Sequence, residues 1–326
     1  LDLVITDAQR DEVIVMAGDG TGDFDLRDRI PVTGTPSGVE IGEFGGGPKL
    51  DLAITDIEDN EVTLILQGSG GEFSVGPSFA VEDEPHRLAS ADLDGNGHRD
   101  LVVSNEESDT VSVLLQQEDG FGSPSSHVVG NGPTDVEIVD LDGDGMLDIV
   151  VATTAWVSIL QAVVPGAFGT YEAYAADAHV GSTKAEDLDD DGDEDLVLST
   201  SSPGPRVMLQ QADGSFDSVP AGFTYFSVNG SVIGDFDGDG EADYAASGAL
   251  EGFHVLLGEV LRIEPVSVNF GPTYAGRSTS GSFLVRNTGS DPVSVEGAAS
   301  RGQQARSRCI RTSVPVRSST FGRPAR

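Results

Sequence analysis

Four stretches of the chain set oxygen-bearing side chains at one repeated spacing: residues 92–100, 140–148, 187–195 and 235–243. Positions 1, 3, 5 and 9 are Asp92, Asp94, Asn96 and Asp100 in the first and Asp140, Asp142, Asp144 and Asp148 in the second. They are Asp187, Asp189, Asp191 and Asp195 in the third, and Asp235, Asp237, Asp239 and Asp243 in the fourth. A hard cation such as Ca2+ takes about six to eight oxygen ligands, so a short loop must supply several carboxylates and turn sharply. Glycine at position 6, as Gly97, Gly145, Gly192 and Gly240, permits that turn. The backbone carbonyl at position 7, from His98, Met146, Asp193 or Glu241, is the expected further ligand. Without a cation the carboxylates crowded into one turn would repel one another. The pattern therefore points to Ca2+ and not to a merely solvated acidic face.

An EF-hand shares the first six positions but needs a glutamate at position 12 and flanking helices. Position 12 is here Val103, Val151, Leu198 or Ala246, inside an apolar run. A fifth stretch, Glu43–Asp51, keeps the spacing but has Gly45 and Gly47 where oxygens should stand, so a structural turn without an ion is expected. Asp2 reads as position 9 of a further loop, which implies a chain that starts inside a repeat.

Each loop leads into a short apolar run, such as Asp51-Leu52-Ala53-Ile54-Thr55 or Asp100-Leu101-Val102-Val103-Ser104. The leading residues Asp2, Asp51, Asp100, Asp148, Asp195 and Asp243 recur every 47 to 49 positions. A second run follows, as in Val62–Gln67, Val111–Gln116, Val157–Gln161 and Val207–Gln210, then a Phe-led segment and a strand entering the next loop. The lengths and β-branched content specify strands, four to a unit. A period in the forties with four strands is the pattern of propeller blades, and burial on both faces accounts for the unbroken apolar runs. Helical solenoids have similar periods but need amphipathic helices, of which the sequence shows none. The reading is an all-β chain: a propeller over 1–260 with six repeat units visible.

Composition narrows the function. The net charge is −37, and residues 1–260 hold 52 of the 55 acidic side chains but only 8 of the 18 basic ones. So acidic a surface repels phosphate backbones and anionic membranes, which argues against nucleic acid as a partner. Cys309 is the only cysteine, so neither a disulfide framework nor a thiolate metal site is available. No run of about 18 apolar residues could form a spanning helix. Residues 301–326 carry seven arginines and no acid, and a basic, disordered tail is expected there.

The repeated Asp-x-Asp-x-Asp/Asn-Gly-x-x-Asp loops, each followed by an Asp-Leu-Val-Val-like strand, resemble FG-GAP/VCBS repeats, as found in integrin α-subunit propellers. The resemblance implies a commonly seven-bladed propeller with calcium loops between the first and second strands of a blade. Residues 261–300, with Ile263–Gly271 and Phe283–Gly289, resemble the opening strands of an immunoglobulin-like ASPM/SPD-2/hydin (choice-of-anchor D) domain, a truncated β-sandwich here.

No His-Glu-x-x-His, Gly-x-Ser-x-Gly, P-loop or dinucleotide fingerprint is present. The expectation is a non-catalytic, calcium-binding propeller, secreted or at a cell surface, that binds an extracellular protein or a glycan. The alternatives are the propeller domain of a calcium-dependent polysaccharide-acting enzyme and a structural spacer. Trp156 opens a strand and is expected to pack within a blade, and the five histidines show no common ligand spacing.

Overall fold

The computed structural model describes residues 2–21, 23–45, 47–176, 178–188, 191–200 and 205–220. It also describes the strands Val228–Gly234, Asp243–Gly248, Gly252–Leu256, Ser294–Ala299 and Arg306–Arg311. Every element among the described residues is a strand.

The strands form the successive sheets that the repeat predicts. The second sheet runs Pro36–Gly42, Asp51–Asp56, Glu61–Gln67, Phe73–Ala80, each strand antiparallel to the next. The third runs Pro85–Ala91, Asp100–Asn105, Thr110–Leu114, Ser125–Val128, and the fourth Asp135–Val139, Asp148–Ala152, Trp156–Leu160, Glu172–Ala175. The fifth runs Val180–Glu186, Asp195–Thr200, Arg206–Gln210, Phe216–Pro220. Three strands are described in the first sheet, Leu3–Asp7, Glu12–Gly18 and Phe24–Pro31, and three in the sixth. The first strand of each sheet lies against the first strand of the next, from Pro36–Gly42 through Val180–Glu186. This is the blade arrangement of a β-propeller.

Alternation within a strand explains why the central runs are apolar throughout. Successive side chains leave a strand on opposite faces, so a blade between two neighbours must bury both sets. Leu101 and Val103 pack with Ala53, Val62 and Leu64 of the second sheet. Val102, one residue between them, packs with Ile149, Val151 and Leu160 of the fourth. Val150 and Ala152 in turn meet Leu196, Leu198 and Met208 of the fifth.

Antiparallel register gives every sheet two distinct ends. In the third sheet Ala91 pairs with Asp100 at one end and Pro85 with Asn105 at the other. The Asp-rich loops occupy the first end, and the turns between second and third strands occupy the second. Those turns recur as well: Asp11, Asn60 and Asp109, at the same repeat position, all adopt positive φ (51°, 54° and 57°). Aspartate and asparagine tolerate the left-handed region better than other non-glycine residues.

The sandwich read over 261–300 lies outside the described residues except for Ser294–Ala299, which pairs with Arg306–Arg311. Only that second strand is described in the tail expected to be disordered.

Candidate metal centre

The three Asp-rich loops with described hydrogen bonds are folded by their own side chains. In the first, Asp92 accepts from the N–H of Asn96 at 3.0 Å and of Gly97 at 2.8 Å. Asp94 Oδ1 accepts from Asn96 N at 3.1 Å, and Asn96 Oδ1 from His98 N at 2.8 Å. The second repeats this geometry: Gly145 N donates to Asp140 Oδ2 (2.9 Å), Asp144 N to Asp142 (3.2 Å) and Met146 N to Asp144 (2.8 Å). In the third, Asp187 accepts from Asp191 N and Gly192 N, and Asp191 from Asp193 N. Gly97, Gly145 and Gly192 stand at φ of 88°, 87° and 97°, where a side chain would be strained. The position-7 residues His98, Met146 and Asp193 thus donate their own N–H groups within the loop, while the carbonyls expected as ligands belong to the following peptide units.

The loops bring carboxylates together. One oxygen each from Asp92, Asp94 and Asp100 lies within 4.8 Å of the other two, and the same holds for Asp140, Asp142 and Asp144. Asp140 Oδ1 is buried and has no hydrogen-bond partner. A buried charged oxygen left unpaired is strongly unfavourable, so this atom fits a cation ligand. The donor set is all hard oxygen, as a Ca2+ site requires. Asp189 of the third loop and Asp235, Asp237, Asp239 and Glu241 of the fourth lie outside the described residues; Asp243 opens the strand that pairs with Val228–Gly234.

Position 9 does more than the spacing suggested. Asp100 Oδ2 accepts from Leu93 N (2.8 Å) within the loop, and its Oδ1 from Gln116 N (2.7 Å), just beyond the Thr110–Leu114 strand. Asp148 bridges Leu141 N and Ala162 N, and Asp195 bridges Leu188 N and Gln210 N. Asp51 does the same with Gly45 N and Gln67 N, both at 2.7 Å, in the loop that lacks oxygens at positions 3 and 5. The residue is therefore a buried staple of loop to sheet, which explains its presence where the other ligands are missing.

Burial pushes the Asp100 carboxyl up to about 6, against the pull of the Gln116 and Leu93 N–H groups, while the Asp94 and Asp92 carboxylates add to the rise. Burial holds Asp148 up in the same way, with Asp142 and Asp144 adding to it. In the unfolded chain an aspartate titrates near ~3.9. In the metal-free fold Asp100 accordingly disfavours folding at neutral pH, and this penalty falls away as pH drops below 6.

Several residues escaped the sequence reading. Gln116 and Gln210, 2% and 6% exposed, reach into neighbouring blades. Gln116 Nε2 donates to Phe44 O at 3.3 Å and Gln210 Nε2 to Leu141 O at 2.9 Å, latching the third sheet to the second and the fifth to the fourth. Glutamine at the end of the second apolar run was the available signal. His86 is a second case: its Nε2 lies 2.9 Å from Glu106, and Glu84 is close enough to join them. The expected packing of Trp156 is corrected. Trp156 is 46% exposed: it opens its strand at the end of the sheet, where its cross-strand partner is the small Ala175.

Residues 92–151 and 187–246 match the model of the FG-GAP-like repeat. Each stretch contains two of the Asp-rich loops. No curated protein matches the chain. Among solved structures, the chain resembles a functionally unknown protein from Desulfotomaculum acetoxidans, with TM-score 0.56, 12% identity and 76% of each chain covered. It also resembles an Agrocybe aegerita lectin that recognises non-reducing terminal N-acetylglucosamine, with TM-score 0.50, 19% identity and 76% and 74% covered. A protein from Lactobacillus plantarum aligns with TM-score 0.50, 17% identity and 79% and 82% covered. At these identities the likeness is one of fold.

Proposed function

We propose that this chain, which carries FG-GAP-like repeats, is a calcium-loaded propeller that binds an extracellular protein or glycan without catalysis, secreted or at a cell surface. The observation that carries this reading is the buried, unpartnered Asp140 Oδ1 beside Asp142 and Asp144. When bound, Ca2+ would offset part of the negative charge that the carboxylates of each loop bring together. The loop side chains hold the turns, the position-9 aspartates tie them to the strands, and the blades present the opposite rim rigidly. Three of the eight basic side chains in residues 1–260 are already engaged near the first strands or loops: Lys184 with Glu137, Arg99 with Ser90, Lys49 with Gln67.

Asp142→Ala is expected to lower the number of calcium ions bound by one. At a free calcium of ten times the dissociation constant, it should also remove about 1.4 kcal/mol of calcium-dependent stability. Isothermal titration of both proteins, with melts in calcium, measures each. An unchanged ion count would separate this loop from calcium.

Screening the chain in calcium against glycan and extracellular-protein arrays tests the binding role. Selective binding supports it, turnover of a bound polysaccharide would favour the enzyme alternative, and no selective binding would favour a spacer. The exposed Trp156 favours a glycan, since an indole face stacks on sugar rings and a well-seated aromatic anchor contributes about 2 kcal/mol or more. Trp156→Ala should then weaken the array-positive glycan by roughly tenfold or more. Unchanged affinity would remove Trp156 from the site.

A further inference from the structure

The second sheet carries another acidic group at the end away from the Asp-rich loops. One oxygen each from Asp56, Asp59 and Glu61 lies within 4.8 Å of the other two. Asp56, the last residue of its strand, is 1% exposed. Its Oδ1 accepts three backbone N–H groups, from Thr35 (2.9 Å), Glu58 (3.0 Å) and Asp59 (3.2 Å). Its Oδ2 is buried with no hydrogen-bond partner. The carboxylate rests on Gly34, at φ 72°, where an added Cβ would stand 1.8 Å from Oδ2. Only glycine leaves that oxygen room.

The neighbouring repeats occupy the same three positions differently. In the first sheet, 49 residues earlier, they are Asp7, Arg10 and Glu12. There Arg10 Nη1 lies 2.6 Å from Asp7 Oδ2, so a guanidinium meets the oxygen that is orphaned on Asp56. In the third sheet they are Asn105, Ser108 and Thr110, all uncharged, and Asn105 Nδ2 donates to Thr110 Oγ1 at 3.1 Å. The second sheet alone of these three sets three carboxylates together, with Asp59 in the place of Arg10. Among the described residues no ion pair reaches Asp56, Asp59 or Glu61.

We propose that Asp56, Asp59 and Glu61 hold a hard divalent cation, which stands where the Arg10 guanidinium stands in the first sheet. Donors that are all carboxylate select the calcium and magnesium class over softer metals. The site is independent of the Asp-rich loops and would sit at the other end of the one described blade whose own loop has lost its ligands.

Equilibrium dialysis of the full chain against Ca2+, and in a parallel series Mg2+, tests the assignment. Asp59→Arg restores the first-sheet arrangement at an exposed position, and Glu61→Gln removes one charge with little change in shape. Each is expected to bind one ion fewer than the unmodified chain, and Asp59→Arg should melt higher than it when both are metal-free. Equal counts in all three proteins for both ions would overturn the proposal. Asp142→Ala separates the two readings: if it loses an ion while Asp59→Arg and Glu61→Gln lose none, the loops bind calcium and this site does not exist.

Discussion

Stripping calcium from the full chain is expected to lower its melting temperature by at least about 8 °C relative to the same protein in excess calcium. The folded loops gather carboxylates that the unfolded chain leaves dispersed, so calcium binds the folded state preferentially. At ten times the dissociation constant each independent site contributes about 1.4 kcal/mol, and at a hundred times roughly 2.7 kcal/mol. Even three of the four loops at the lower figure give about 4 kcal/mol, and a domain of this size moves by about 2–4 °C per kcal/mol. Extracellular calcium modules bind at roughly 10⁻⁴ to 10⁻³ M, so the comparison belongs in at least several millimolar calcium. Thermal melts with calcium and with chelator measure the shift. Equal melting temperatures would mean that the acidic loops are held by their own hydrogen bonds alone.

Asp51→Ala should destabilise the chain by about 2–6 kcal/mol while leaving the calcium count unchanged. Asp51 is 3% exposed, and its two oxygens take the N–H groups of Gly45 and Gln67. Removing the carboxylate strands two backbone donors, each costing about 1–3 kcal/mol if it stays buried. Its loop has glycine at positions 3 and 5, so no ion should be lost. Denaturant unfolding beside equilibrium dialysis separates the two effects. A loss of under about 1 kcal/mol would show that the staple is dispensable, and a lost ion would show that this loop binds metal after all.

The contrast between the calcium loops and the Asp51 staple marks what the sequence could and could not disclose. The spacing of Asp140, Asp142, Asp144 and Asp148 is local, and so is the demand a cation makes on a turn, so the loops were legible. The blade period was legible for a related reason: Leu101, Val102 and Val103 face two different neighbours, and burying both faces forces an unbroken apolar run. The staple was not legible, because spacing alone cannot tell that both oxygens of Asp100 meet N–H groups at Leu93 and Gln116. The Gln210 latch reaches 69 residues back to Leu141, a contact fixed by how blades pack and not by any local pattern. Trp156 was misjudged because an apolar run locates a strand without showing which residue sits at its open end. The Asp56 cluster was not legible, because the 49-residue repeat aligns it with Asp7, Arg10 and Glu12 but does not show that Asp56 Oδ2 is buried without a partner.

The most direct test of the account is a calorimetric count of calcium bound by the metal-free full chain at neutral pH. The Asp92, Asp140, Asp187 and Asp235 loops predict four ions, with a fifth if the Asp56 cluster is filled by calcium. A stoichiometry below one would contradict it, leaving an acidic propeller whose turns are closed by hydrogen bonds alone.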